Sequence, residues 1–464
     1  MTKLTALLLV VLLSASCAVG PNYKRPGVTV PGTYRGAAPQ DATQSAAESL
    51  ADQKWWDVFQ DKQLQDLIRT ALQQNYDVRI AATRILQAQA QLGITRANQS
   101  PSIGAGTQAV DQRIPNTKPS HQYDTSANQL GFALSWDLDF WGKYRRATES
   151  AQASLLATEW ARKAVLNTLV SDVATAYFQL RALDLQLEIS RRTLASRQDS
   201  LQLTQKLANG GASSMLDVRQ AEQLVFTAAE IIPDLERRIE QQENLLSTLL
   251  GNNPGPIVRG QKLTEQPHAP EVPAGLPSSL LERRPDIRGA EAQLIAANAQ
   301  IGVAKAAYFP QISLTGAGGF QSSALSSLFT GPAGMWNFGG SLVQPVFTGG
   351  RIRSGVKLAE ARQQEALLTY QKTIQQAFLG VSNSLVEYRR DMEFRKQQQQ
   401  LALAAQGAAQ LSEMRYRGGA ASYLEVLTSE TNYFAAELGL AQAQLNELTA
   451  LVGIYRNLGG GWQQ

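Results

Sequence analysis

The sequence predicts an α+β membrane protein made of two internal repeats, each ordered helix, strand, strand, long helix, tight turn, helix. Three observations carry that reading: a motif repeated at a fixed offset, helical seams longer than a globular core requires, and strands with one apolar face.

The repeat sets the frame. Leu203 to Val218 reads LTQKLANGGASSMLDV, and Leu411 to Val426 reads LSEMRYRGGAASYLEV. The offset of about 208 residues between Gly211 and Gly419 also aligns Gly142-Lys143-Tyr144-Arg145 with Gly350-Arg351-Ile352-Arg353. Between the halves, Pro254, Pro256, Pro267, Pro270, Pro273 and Pro277 mark a linker. The expected division is a signal peptide over 1–16, an N-terminal arm over 17–54, a first repeat over 55–251, a linker over 252–277, a second repeat over 278–455 and a tail over 456–464.

Lys3 and the apolar run Leu4 to Leu13, followed by Ser14, Ala15 and Ser16, form a bacterial export signal. Cys17 at the cleavage point resembles a lipobox, whose thiol takes a diacylglyceryl group, although Ser14 stands where leucine is usual. Ala18 rather than Asp after that cysteine favours the outer membrane in lipoproteins of this kind. Pro21 to Pro39 reads as an extended arm.

The first helix is expected from Lys62 to Asn98, and the long one from Lys143 to Ala208, about 100 Å at 1.5 Å per residue. Leu166, Val173, Leu180, Leu187, Leu194 and Leu201 recur every seventh residue, with Leu169, Ala176 and Leu183 between them, a coiled-coil seam. Ile374, Phe378, Val381, Leu385, Tyr388 and Met392 form its softer equivalent. Outside the seams, Gln, Ala, Ser, Thr and Arg suit a thin wall wetted on both sides.

Leu130, Phe132, Leu134, Trp136 and Leu138 alternate with Gly131, Ala133, Ser135 and Asp137. Ile312 and Leu314, and Trp336, Phe338 and Leu342, repeat the pattern, with Ser102 to Val110 a weaker version. About four strands cannot close a barrel in lipid, where the smallest have about eight and open edges are not tolerated. Copies must therefore share a barrel, and physics alone permits two, three or four of them.

Composition excludes other classes. The 464 residues carry 43 basic and 39 acidic side chains with no basic block, which argues against nucleic acid. One cysteine and the distant His121 and His268 offer no disulfide framework and no zinc site, and no cofactor is expected. No nucleophile motif accompanies His121 and Asp124, and Gly316, Gly318 and Gly319 lie in a strand pattern, not a phosphate-cradling turn, so no enzyme is expected. Apart from Leu4 to Leu13, no apolar run approaches the ~18 residues of a spanning helix.

The segment LLERRPDIRGAEAQLIAANAQIGVAKAAYFPQISL from Leu280 to Leu314 resembles the signature of the TolC-like outer membrane factors, in particular the lipoprotein efflux channels of the OprM and NodT type. Gln344 to Arg351 (QPVFTGGR) is similar to their strand-to-helix junction, and Cys17 to Pro26 (CAVGPNYKRP) to the start of their mature chains. Trp55, Trp56, Phe59 and the Leu64, Leu67, Leu72 pattern are similar as well. The resemblance implies a homotrimer whose α-helical periplasmic tunnel joins a shared 12-stranded outer-membrane β-barrel, four strands per chain. It also implies a passive conduit for small molecules, docking on a periplasmic adaptor (membrane fusion) protein and an inner-membrane pump of the resistance-nodulation-division type.

The turns Asn209 to Ser214 and Arg417 to Ser422 should lie together at one end, with Gly210, Gly211, Gly418 and Gly419 permitting the reversal and, by resemblance, meeting the adaptor. Asp217 and Glu425 follow the turns; Glu425 aligns with the first of two acidic gate positions in the family, while Thr428 occupies the second. Ser214 with Asp217 and Ser422 with Glu425 also fit the capping box. Tyr423 and Leu424 are candidates for an apolar plug. A type I protein-secretion duct and a lipid-anchored coiled-coil spacer are the alternative functions.

Lipidation of Cys17 is expected. Mass spectrometry of the mature N-terminus should show a diacylglyceryl-modified Cys17; cleavage elsewhere, or an unmodified thiol, overturns it.

Overall fold

The computed structural model describes residues 18–35, 50, 54–114, 123–266 and 277–460; the export signal, Cys17, His121 and His268 lie outside them. The chain forms two compact units, one from Met1–Gly27, Arg84–Glu159 and Gly289–Gln371, the other from Val28–Thr83, Trp160–Arg288 and Lys372–Gln464. Among the described residues, no helix is long and apolar enough to cross a membrane.

The first unit carries the sheet: β1 (Ser102–Ile114), β2 (Tyr123–Leu138), β3 (Gln311–Ser322) and β4 (Gly334–Val343), antiparallel in the order β1-β2-β3-β4. The strands reach 10 to 16 residues, longer than their apolar runs, because pairing continues through the polar stretch where Asp111, Gln112 and Arg113 face Ser126, Thr125 and Asp124. Register sorts the side chains by face. Ala105, Phe132, Gly318 and Trp336 form one row, and Ile103, Leu134, Gly316 and Phe338 the next. The opposite face carries Gly106, Gly131, Gly319 and Met335, then Ser102, Ser135, Thr315 and Gly339. Trp336 is 84% and Phe338 70% exposed, an apolar surface that water alone would disfavour. On the polar face Gly131 and Gly319 oppose each other so closely that a Cβ on Gly319 would lie 2.2 Å from the Leu130 carbonyl oxygen and 2.5 Å from the Gly131 Cα.

The N-terminal arm is pinned within this unit. Val19 donates its amide to the Trp141 carbonyl, Arg146 donates to the Val19 and Gly20 carbonyls, and Arg25 pairs with Glu291 at 3.0 Å.

The expected helix from Lys62 to Asn98 is two helices, α2 (Lys62–Gln74) and α3 (Tyr76–Ala97), after a short α1 (Trp55–Val58). Asn75 breaks it: its backbone is extended, its Oδ1 accepts the amides of Asp77 and Val78, and its Nδ2 donates to the Leu249 carbonyl. A side chain that caps the next helix competes with continuation of the last one.

In the second unit Asp61 is the buried hub. Its Oδ1 caps α2 by accepting the Gln63 and Leu64 amides, while its Oδ2 accepts the Tyr177 hydroxyl (2.8 Å), the Gln261 amide (3.0 Å) and the Gln266 side chain (2.9 Å). Around it Phe59 sets its ring edge-on against Phe178 and Tyr455.

The long helices are α4 (Lys143–Asn209) and α8 (Arg351–Arg417), 67 residues each; they turn into α5 (Met215–Leu249) and α9 (Tyr423–Asn457), 35 residues each, and α6 (Leu280–Arg283) and α7 (Pro285–Ala306) lie between α5 and β3 in the chain. The leucine seam needs correction. Leu166, Val173 and Leu180 are buried, but Leu187, Leu194 and Leu201 are only half-buried. The row that stays buried is Leu169, Ala176, Leu183, Ser190, Arg197 and Thr204, heptad-spaced and polar in its last half. Apolar counting misses it because Ser190 and Thr204 donate their hydroxyls to the Gln186 and Ser200 carbonyls of their own helix, while Arg197 finds its partners on other helices. Arg197 Nη1 donates to the Leu224 carbonyl at 2.9 Å, its Nε lies 4.0 Å from Glu430, and its guanidinium covers the Phe434 ring at 5.0 Å. On α8, Val381, Ser384 and Tyr388 are buried, and the row runs on through half-buried Arg395 and Gln398 to buried Ala402, Ala409 and Ser412. Phe378 and Met392 of the expected seam are half-buried.

Gly319→Val is expected to abolish sheet assembly, because the new side chain meets backbone that cannot rotate away. Heat-modifiable mobility of the purified protein on gels should disappear; an unchanged assembled band would contradict the pairing of β2 with β3.

Candidate functional site at the two helix turns

Both turns are built identically from the backbone upward. At the end of α4, the Ala212 amide donates to the Leu207 carbonyl (2.8 Å) and the Gly211 amide to the Ala208 carbonyl (3.0 Å); at the end of α8, Ala420 donates to Arg415 and Gly419 to Tyr416. This double closure requires a left-handed residue at the second position. Gly211 (φ 76°) and Gly419 (φ 72°) supply it, whereas Gly210 and Gly418 keep negative φ, so only the second glycine of each pair is conformationally required.

The acids diverge. Ser214 and Asp217 form the full reciprocal capping box at the start of α5, and Ser213 adds its hydroxyl to Asp217 at 2.6 Å. Burial pulls the Asp217 carboxyl upward, but the Ser213 hydroxyl and the Ser214 amide and hydroxyl outweigh it and hold the group below the usual carboxylate range. The second expected box is not formed. Ser422 makes no side-chain cap, and the Glu425 carboxylate instead lies 3.8 Å from Arg415 in the last turn of α8. Both partners are about half exposed, so the pair is weak. Thr428 bonds back to the Leu424 carbonyl.

Tyr423 is enclosed. It is 2% exposed, packed with Ala221 and Val426, and edge-on to Tyr416 at 5.2 Å. Leu424 is 56% exposed, as are Met215 (61%) and Leu216 (66%) in the first turn of α5. The contact that joins the turns was not legible in the sequence: Ser213 Oγ and the Tyr416 hydroxyl lie 3.3 Å apart, so one serine couples the Asp217 cap to the end of α8. Only the Ser213 hydroxyl next to the cap hinted at it. Among the described residues, no three metal-ligating side chains gather.

A family model described as outer membrane efflux protein matches residues 67–252 and 276–460. The chain belongs to this family. Relatives include the cation efflux system protein CusC of Escherichia coli O6:H1, 36% identical over 459 residues and covering 98% of each chain. The probable efflux pump outer membrane protein TtgC of Pseudomonas putida is 35% identical over 469 residues, covering 100% of this chain and 97% of its own. Among solved structures, the outer-membrane channel OprN superposes with a TM-score of 0.89 at 30% identity, over 97% of this chain and all of that one. The sequence resemblance to TolC-like outer membrane factors is thereby borne out.

Ser214→Ala should cost the α5 start about 1 kcal/mol, whereas Ser422→Ala should change little, since its hydroxyl makes no cap. Hydrogen exchange at residues 215–218 and 423–426 measures both. Because Asp217 titrates below its unfolded value, its contribution is complete above the ordinary carboxylate range and is lost as pH falls through the lowered one, so protection at 215–218 should drop in acid.

Proposed function

We propose that the protein is the outer-membrane exit duct of a tripartite efflux system, passing small molecules handed on by an inner-membrane pump and a periplasmic adaptor. The observation that carries this is the four-stranded sheet with an apolar exposed face, a polar opposite face and two unpaired edges, β1 and β4. Three copies would pair those edges into twelve strands with the Ser, Thr, Gln and Gly face lining the pore. The long helices would continue that lumen as a tunnel, anchored in the outer membrane by a lipid on Cys17.

The turns after Asn209 and Arg417 are the proposed resting closure and adaptor-contact region, around Gly210, Gly211, Gly418 and Gly419. Asp217 and Glu425 contribute about six carboxylates around a threefold axis, and carboxylate rings favour cations. Glu425 is the better gate residue of the two. Asp217 is committed to its cap, while Glu425 has only a long, half-exposed contact to Arg415. Leu424 and Met215 offer the adaptor an apolar tip. Ser213 and Tyr416 latch the two hairpins, and opening requires their separation.

Single-channel recording in planar bilayers tests this. Wild type should show a small, cation-preferring conductance; Tyr416→Phe should enlarge it by removing the latch hydroxyl, and Glu425→Gln should lower cation preference with no loss of thermal stability. A chain that never conducts, even as Tyr416→Phe, is a spacer and not a duct.

A further inference from the structure

The duplication supplies a template for a contact that one chain does not make with itself. Within the chain, α9 of the second hairpin packs against α4 of the first: Arg192 pairs with Glu437, Arg197 lies 4.0 Å from Glu430, and the Arg197 guanidinium covers the Phe434 ring at 5.0 Å. Phe434 is 6% exposed as a result, and Thr193 and Arg197 on α4 are buried.

Shifted by the 208-residue offset, Phe434 becomes Phe226 on α5 and Glu430 becomes Glu222, while Thr193 becomes Leu401 on α8 and Arg197 becomes Ala405. Both sides of this second contact exist, and both are uncovered. Phe226 is 69% and Leu401 54% exposed, Ala404 and Ala408 are exposed, and Ala405 is half-buried. The reversals and helix lengths match between the two hairpins, so the packing seen within the chain sets the register expected for the other.

An exposed aromatic ring on one helix and a strip of small residues on another, which do not meet in their own chain, fit heterologous association, where one surface of a copy meets a different surface of the next. We propose that Phe226 of one copy docks on the Leu401 to Ala408 stretch of α8 in a second copy, its ring over Ala405 as Phe434 lies under Arg197 within the chain. The proposal rests on the reading that copies share one barrel, and it goes further by naming the helical surfaces that meet. This seam differs in kind from the one inside the chain. Arg192 and Glu437 correspond to Gln400 and Ala229, and Arg197 to Ala405, so neither ion pair has a counterpart. Glu222 pairs instead with Arg219 of its own helix. The contact between copies is therefore apolar, where the contact within a chain is tied by charge.

The full chain carrying p-benzoylphenylalanine in place of Phe226, irradiated in mild detergent, tests it. The expected product is a covalent multimer whose adduct maps to residues 397–415 of a second copy. Ala405→Arg should supply the missing partner for Glu222 and raise the assembled fraction that survives a fixed heating step about threefold, the worth of one partly exposed charge pair. Adding Glu222→Gln should remove that gain. If Ala405→Arg prevents folding, the adduct alone decides. Products confined to the same chain, or formed with a protein of another kind, in a sample whose native mass is a multimer, overturn this contact and leave the duct reading standing. A folded chain with a monomeric native mass overturns both.

Discussion

Backbone amides and carbonyls in hydrocarbon have no water to turn to, and that constraint governs this molecule. Four strands satisfy each other only inward, and among the described residues the outer edges of β1 and β4 have no partner strand in their own chain. Under the proposed function those edges of the sheet are where neighbouring copies pair. The same requirement explains the glycines on its polar face, where Gly131 and Gly319 let two strands approach within a distance that any side chain would forbid. The bulk of Phe132, Trp336 and Phe338 stands on the other face.

Away from lipid the problem reverses, and the helices must pack while keeping wet surfaces. Their buried rows answer with polar members. Arg197 sits where a coiled coil would place leucine, and burial pushes the Glu430 carboxyl above its usual range while Arg197 opposes it. Buried Arg197 and half-buried Glu430, 4.0 Å apart, add little net stability as a pair, but loss of Glu430 would leave the buried guanidinium without its opposite charge. Such a row fixes which helix lies beside which more firmly than an apolar stripe, which packs acceptably against many partners.

Much of the architecture was legible because it is periodic. Alternation marked Leu130 to Leu138, and the Gly-Gly pairs marked both reversals. The remainder depended on partners distant in sequence. Nothing local in Asn75 says that its amide will find the Leu249 carbonyl, so one expected helix proved to be two. The two capping boxes looked equivalent as strings, yet Asp217 closes its box with Ser214 while the Glu425 carboxylate lies 3.8 Å from Arg415. Tyr423 and Leu424 are neighbours at the turn, yet only the fold shows that Ala221 and Val426 pack around the first while the second is exposed. The Ser213 to Tyr416 contact spans 203 positions, beyond any local pattern.

Asp61 has a consequence in time. It accepts five hydrogen bonds, two from its own helix start and three from Tyr177, Gln261 and Gln266, the last of these 205 residues downstream. Until those residues emerge, the carboxylate has no reason to leave water, and the early helices it joins lack their keystone. A polypeptide threaded through the inner membrane from its N-terminus benefits from such a delay, since a core that locks only on late arrivals leaves the leading segment slack enough to pass.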